Sequence, residues 1–116
     1  MRIARLPKAS VAVHVNGRAL QEYEAESEDP MTATSYVETV NGAEFSVVLK
    51  LDRGFRPGDK SLAVNVSLDG SPATGLLIRE NELKMGITQS INKMVDEVDG
   101  VSCYRMFTFA QHKSSN

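Results

Sequence analysis

Residues 42–51, Gly-Ala-Glu-Phe-Ser-Val-Val-Leu-Lys-Leu, are the stretch that decides the fold of this chain. Apolar side chains occupy every second position, namely Ala43, Phe45, Val47, Leu49 and Leu51. Successive side chains of a β-strand point to opposite faces, so this alternation predicts a half-buried strand with its apolar face in the core. Val48 is the one apolar residue on the polar face. The other apolar segments are candidate partners for this central strand.

A first hairpin is predicted before it, at Asn16-Gly17. A type I′ turn at this dipeptide pairs Val15 with Arg18 and Val13 with Leu20. The apolar faces of the two strands then coincide, so the register is self-consistent.

A second hairpin is predicted after the central strand, at Asp69-Gly70. The flanking segments alternate between apolar and polar residues. A tight turn there faces Val66 with Ala73 and Leu62 with Leu77, which matches the two apolar faces.

Residues 32–40 are rich in Thr, Tyr and Val, and Asn41-Gly42 would turn them into the central strand. A two-residue type I′ turn puts Glu38 opposite Phe45 on the core face. A three-residue loop with a G1 bulge at Gly42 puts Val37 there instead. We favour the bulged turn because burying an unpaired carboxylate costs several kcal/mol. The type I′ turn stays possible if Glu38 lies at the open end of the sheet.

Residues 80–100 allow two interpretations. Five apolar residues fit helical spacing and favour a short helix near residues 88–98, with Ser90 as a candidate cap: Ile87, Ile91, Met94, Val95 and Val98. Gly86 and the neighbouring strands equally allow two short strands.

Turn dipeptides and about seven or eight short strands predict an all-β fold, an antiparallel β-sandwich of jelly-roll or immunoglobulin-like type. The 116 residues suit one domain, with an ordered core over about residues 9–110 and frayed termini.

The net charge of −2 is not that of a general nucleic-acid binder. The single cysteine excludes an internal disulfide, and no signal peptide or membrane span is visible, so we expect an intracellular protein, cytoplasmic or nuclear.

An ordered set of short segments resembles a fungal domain family of unknown function over most of the chain. The segments are Val-Asn-Gly-Arg-Ala-Leu-Gln-Glu-Tyr (15–23), Tyr-Val-Glu (36–38), Gly-Ala-Glu-Phe (42–45), Gly-Phe (54–55), Val-Ser-Leu-Asp-Gly (66–70) and Phe-Thr-Phe-Ala (107–110). The resemblance implies a small intracellular β-rich domain and supplies no activity. The chain departs from the family pattern around residues 83–98.

Residues for catalysis or metal binding are scattered. His14 and His112 are the only histidines, and neither stands in a recognised nucleophile setting. One cysteine and two separated histidines are not a set of zinc ligands. Cys103 is predicted to be a small core residue. We therefore expect no enzymatic activity, no cofactor and no metal site.

An acidic segment is the main functional lead, comprising Glu22, Glu24, Glu26, Glu28 and Asp29. Its charges predict a solvated loop that could bind a basic protein partner. The alternative is a solvating loop that keeps strand edges apart. A second candidate surface is Phe55 between Arg53 and Arg56, although Phe55 could instead fold over the open end of the sandwich.

These observations favour a non-enzymatic protein-interaction module. The alternative is a small-ligand or carbohydrate-binding module, an analogy from fold alone. Because the chain has no tryptophan, an aromatic sugar platform would have to come from Tyr23, Tyr36, Tyr104 or Phe55.

Overall fold

The computed structural model describes residues 1–2, 8–25, 32–54 and 61–110. Within these ranges the chain forms ten strands and one four-residue helix. They are β1 (Ala9–Val15), β2 (Arg18–Ala19), β3 (Glu22–Ala25), β4 (Thr34–Val37), β5 (Ser46–Leu51), β6 (Ser61–Leu68), β7 (Ser71–Arg79), α1 (Glu80–Leu83), β8 (Ile87–Ile91), β9 (Lys93–Val98) and β10 (Val101–Met106). No helix in the described ranges has the length and apolar character that crossing a membrane requires.

The predicted central strand lies inside the largest sheet, whose order is β2-β1-β5-β8. All its pairings are antiparallel. On one side of β5, Leu49 pairs with Val11, and on the other side it pairs with Gln89. Leu49 and Leu51 are buried and Lys50 is exposed, which confirms the alternation of the two faces.

The first predicted hairpin is confirmed in detail. Val15 pairs with Arg18, and the Leu20 amide donates a hydrogen bond to the Val13 carbonyl at 2.8 Å. Asn16 and Gly17 have φ of 53° and 76°, the left-handed pair that a type I′ turn requires.

The hairpin of β6 and β7 also forms, with positive φ at both Asp69 and Gly70. Its predicted register is wrong, because a bulge follows the turn: Ser67 pairs with Pro72, whereas Val66 pairs with Thr74. Ala73 is therefore the extra residue on β7. Pro72 has no N–H to donate to a ladder, and proline in sheets is confined to edges, strand starts and bulges.

The bulge decides which β7 side chain reaches the core. Leu62 pairs with Ile78 rather than with Leu77. Since neighbouring residues of a strand face opposite sides, Ile78 is only 1% exposed and Leu77 is 58% exposed.

The helix predicted near residues 88–98 is wrong, and the two-strand alternative is correct. Residues 87–91 form β8 and residues 93–98 form β9. Ile87 and Ile91 pair with Leu51 and Val47 of β5. The four-residue spacing of Ile87 and Ile91 fits one face of a helix and one face of a strand equally well, so these two residues did not separate the interpretations.

The hairpin predicted between residues 32–40 and the central strand is also wrong, in both of its turn models. β4 pairs with β3, and Asn41-Gly42 instead lies in a tight turn closed by a 3.0 Å hydrogen bond from the Ala43 amide to the Val40 carbonyl. Gly42 has a φ of 70°, which confirms that glycine is needed there. Glu38 is exposed, so its carboxylate is not buried opposite Phe45.

Residues 107–109 take the place expected for residues 32–40. The Phe45 amide donates to the Phe107 carbonyl at 2.9 Å, and the Phe109 amide donates to the Ala43 carbonyl at 2.9 Å. Glu44 and Thr108 form the antiparallel bridge between them. The segment thus lies on the same side of the central strand as β8 and extends the line of β8.

Together, β8 and residues 107–109 act as one strand interrupted by an inserted hairpin. Val47 pairs with Ile91 and Glu44 pairs with Thr108. The two pairs are three residues apart on the central strand but seventeen residues apart on the partner segment. The partner segment therefore contains fourteen extra residues, 93–106, which form the β9–β10 hairpin. At its base, the Phe107 amide donates to the Asn92 carbonyl at 2.7 Å.

Three phenylalanine rings pack together where residues 107–109 pair with the central strand. The Phe45 ring lies 5.5 Å from that of Phe107 and stacks on that of Phe109 at 4.5 Å. Phe107 is 1% exposed. Phe107 and Phe109, two residues apart, thus both contact the Phe45 ring.

The core lies between the four-stranded sheet and the β6–β7 hairpin. Its buried cluster joins Leu49 and Leu51 of β5 to Ile78 of β7 and Leu83 of α1, with partly buried side chains of β1, β6 and β8 around it. One sheet face packed on a second antiparallel layer is sandwich packing. The all-β antiparallel fold class is therefore confirmed.

Candidate interaction surface

The first half of the acidic segment is a strand and not the predicted loop. Residues 22–25 form β3 and pair antiparallel with β4, with Glu22 opposite Val37 and Glu24 opposite Ser35. The sequence Glu-Tyr-Glu-Ala alternates charged and less polar residues, which suits a strand with one wet face. Glu26, Glu28 and Asp29 lie outside the described residues.

The two described carboxylates of this segment differ in environment. Glu22 Oε2 lies 3.0 Å from the Met1 amino nitrogen, which also donates to the Val11 carbonyl at 2.9 Å. Glu22 is half-buried in this ion pair, whereas Glu24 is exposed. Glu24 is therefore the described carboxylate of the segment that is open to a partner.

The opposite face of the hairpin carries a pair of tyrosines. Tyr23 pairs directly with Tyr36, so both side chains lie on one face, away from Glu22 and Glu24. Tyr23 is 49% exposed and Tyr36 is 64% exposed. Continuing the same alternation past β4 puts Glu38 on the tyrosine face, and Glu38 is exposed.

A small cavity lies at the base of this face, with a volume of about 210 Å³. It is lined by Leu20, Gln21, Tyr23, Glu38, Thr39 and Val40. The lining residues comprise one aromatic, one acidic, two neutral polar and two aliphatic residues, and no basic residue.

The hairpin that carries these residues is joined to β1 through the Met1 amino group, which contacts both Glu22 and the Val11 carbonyl. Among the described residues, the main contacts of β3 and β4 are with each other. An isolated two-stranded hairpin is marginally stable in water, and exposed tyrosines are typical of interfaces. The tyrosine face therefore has the features of a docking surface.

The second candidate surface is only partly described. Arg53 is exposed in the turn after β5 and lines a different cavity of about 230 Å³ with Gly86 and Ile87. No residue of β3 or β4 lines that cavity. Phe55 and Arg56 lie outside the described residues.

Sequence reasoning named the two tyrosines only as parts of a sugar platform, and it missed the surroundings of Tyr23. Leu20, Glu38 and Val40 gave no separate signal, because their segments were assigned to other hairpins. The available signal was the matching alternation of Glu-Tyr-Glu-Ala (22–25) and Thr-Ser-Tyr-Val (34–37), which suits a pair of strands with facing tyrosines.

No three His, Cys, Asp or Glu side chains in the described ranges are placed to hold a metal ion. Comparison with known proteins found one family: a model described as a domain of unknown function (DUF7918) matches residues 8–115. No curated protein and no solved structure matches the chain.

Proposed function

Since the chain belongs to this family of unknown function, we propose from its own surface that it is a non-enzymatic protein-interaction module. The β3–β4 hairpin binds a basic segment of a partner protein. The observation that carries the proposal is the exposed Tyr23–Tyr36 pair on a hairpin whose strands pack mainly on each other, with exposed Glu38 on the tyrosine face and exposed Glu24 on the opposite face.

Charge and aromatic surface have separate tasks in this proposal. The acidic segment attracts a basic partner at a distance and raises the association rate. Tyrosine then supplies contact area with little loss of side-chain freedom, as it does at many protein interfaces. Binding also buries the exposed face and stabilises a hairpin that is marginal alone.

The proposed setting is the cytoplasm or nucleus of a fungal cell, with no direct contact to membrane or nucleic acid. The resemblance of the segments between residues 15 and 110 to a fungal intracellular family supports it. The single cysteine and the net charge of −2 agree with this setting.

Removing three charges from the acidic segment tests the proposal. Glu24, Glu26 and Glu28 are replaced together with Gln, which keeps their size and polarity, and Glu44→Gln is the matched control on an exposed position of the central strand. The triple variant should bind a fluorescein-labelled basic octapeptide more weakly, mainly through a slower association rate, with unchanged thermal stability. Raising salt from about 0.05 to 0.5 M should weaken the wild type in the same way.

A role as an electrostatic guard of strand edges predicts a different result. Peptide binding would then be absent or equal in the wild type and the triple variant, and the variant would precipitate at a lower concentration. That pattern would contradict recruitment of a basic partner.

The second candidate function is carbohydrate binding. The adjacent exposed rings of Tyr23 and Tyr36 favour it, because sugars stack on flat aromatic surfaces. A glycan array separates the two candidates: reproducible binding that is lost in a Tyr36→Ala variant would favour the sugar-binding function over the interaction module.

A further inference from the structure

We propose that the cavity at the base of the β3–β4 hairpin receives an arginine side chain of the basic partner. This inference rests on the proposed function and assigns its contact site. The juxtaposition that carries it is one small cavity lined by Tyr23 and Glu38 together with Leu20 and Val40.

Four of the six lining residues match parts of an arginine side chain. The methylene groups pack against Leu20 and Val40, as long basic side chains do when they cover apolar surface. The guanidinium stacks on the face of the Tyr23 ring and donates hydrogen bonds to the Glu38 carboxylate.

The size and charge of the cavity disfavour drug-sized and anionic ligands. Its volume of about 210 Å³ is below the roughly 300–1,000 Å³ of sites for drug-sized molecules, so it suits a single side chain. The lining has a carboxylate and no basic residue, which disfavours phosphate and other anions.

Arginine fits better than lysine because of its shape. A planar guanidinium can lie flat on one ring and direct a fork of N–H groups to one carboxylate, whereas an ammonium is a compact, strongly hydrated charge. Tyr23 is the one ring that lines the cavity, so no aromatic cage surrounds a cation there.

The test uses two fluorescein-labelled octapeptides, one alternating arginine with serine and one alternating lysine with serine. Fluorescence anisotropy measures their affinity for the full chain at low salt. Tyr23→Leu and Glu38→Gln should each weaken the arginine peptide about two- to fivefold, the scale of an exposed cation–π contact or ion pair. Tyr23→Phe keeps the ring and should bind like the wild type.

Two control variants change similar residues elsewhere. Tyr104 on β10 is 67% exposed and does not line this cavity, so Tyr104→Leu should leave the affinity unchanged. Glu44→Gln removes an exposed carboxylate from the central strand and should also have no effect. The wild type should prefer the arginine peptide, and Tyr23→Leu should reduce that preference.

The outcomes separate this inference from the proposed function. If neither peptide binds the wild type, the proposed function fails and the cavity site fails with it. If both peptides bind and only the Glu24, Glu26 and Glu28 substitutions weaken them, the function stands and the cavity assignment is overturned. Equal affinity of the two peptides in every variant would also overturn it. Should Tyr23→Leu unfold the hairpin, Glu38→Gln and Tyr23→Phe provide the test. Weaker binding of the arginine peptide by Glu38→Gln alone supports the cavity site, and unchanged binding by Glu38→Gln overturns it.

Discussion

Truncating Phe45 is the most direct test of how the core is built. Its ring contacts Phe107 and Phe109, with centroids 5.5 and 4.5 Å away, and thereby ties the central strand to residues 107–109. Phe45→Ala removes both contacts and leaves a cavity beside the buried Phe107 ring. Glu44→Ala, one position away on the exposed face, is the matched control.

The expected magnitude follows from these contacts. Each aromatic pair contributes about 0.5–1.5 kcal/mol beyond the area it buries. A fully buried Phe→Ala change costs about 3–5 kcal/mol, and since Phe45 is half-buried we expect the lower end, about 3 kcal/mol. Glu44→Ala should change the free energy of unfolding by no more than about 0.5 kcal/mol.

Urea unfolding followed by far-UV circular dichroism measures both variants. With a slope of roughly 1–3 kcal/mol per M urea, the loss in Phe45→Ala lowers the midpoint by about 1–3 M. A double-mutant cycle of Phe45→Leu and Phe109→Leu should give a coupling energy of about 0.5–1.5 kcal/mol. Equal midpoints for Phe45→Ala and Glu44→Ala, or a coupling near zero, would refute the assignment of the strand faces and the ring contacts.

Three further predictions concern the turns and the register. Gly42→Val should lower the melting temperature, because a β-branched residue in the left-handed region at a φ of 70° costs about 1–2 kcal/mol or more. Ile78→Ala should cost about 2–5 kcal/mol in urea unfolding and Leu77→Ala far less; the reverse order would mean that β7 has no bulge. Excising residues 93–106 with direct fusion of the flanking residues should keep a cooperative thermal transition, since it restores one continuous strand in register; loss of that transition would contradict the inserted-hairpin description.

Predictions from local signals agree best with the structure. Asn16-Gly17 and Asp69-Gly70 form the expected turns, and Gly42 has the expected positive φ. Such turns depend on one or two residues that can adopt a positive φ, and the residue types that do so can be identified directly in the sequence. The helix predicted near residues 88–98 does not form, and the four-residue spacing of Ile87 and Ile91 that favoured it also fits one face of a strand.

The candidate site was predictable only in part. The sequence identified the acidic segment and the tyrosines, but it assigned β3 to a loop and paired β4 with the central strand. The surface formed by Tyr23, Tyr36 and Glu38 depends on β3 pairing with β4 in one particular register. A shift of one residue would separate the two tyrosines onto opposite faces, so composition alone did not reveal the surface.

The sequence by itself determined the all-β class, the face of the central strand that enters the core and the places where the chain turns tightly. These follow from period-two alternation and from residues that accept a left-handed backbone. Only the tertiary structure decided which strands pair. Residues 107–109, far along the chain, occupy the edge of the central strand expected for residues 32–40 and bring two phenylalanines onto Phe45. The backbone hydrogen bonds are the same for any pair of strands, so the choice of partner depends on side-chain packing. That packing involves segments distant in the sequence, and a local sequence pattern does not reveal it.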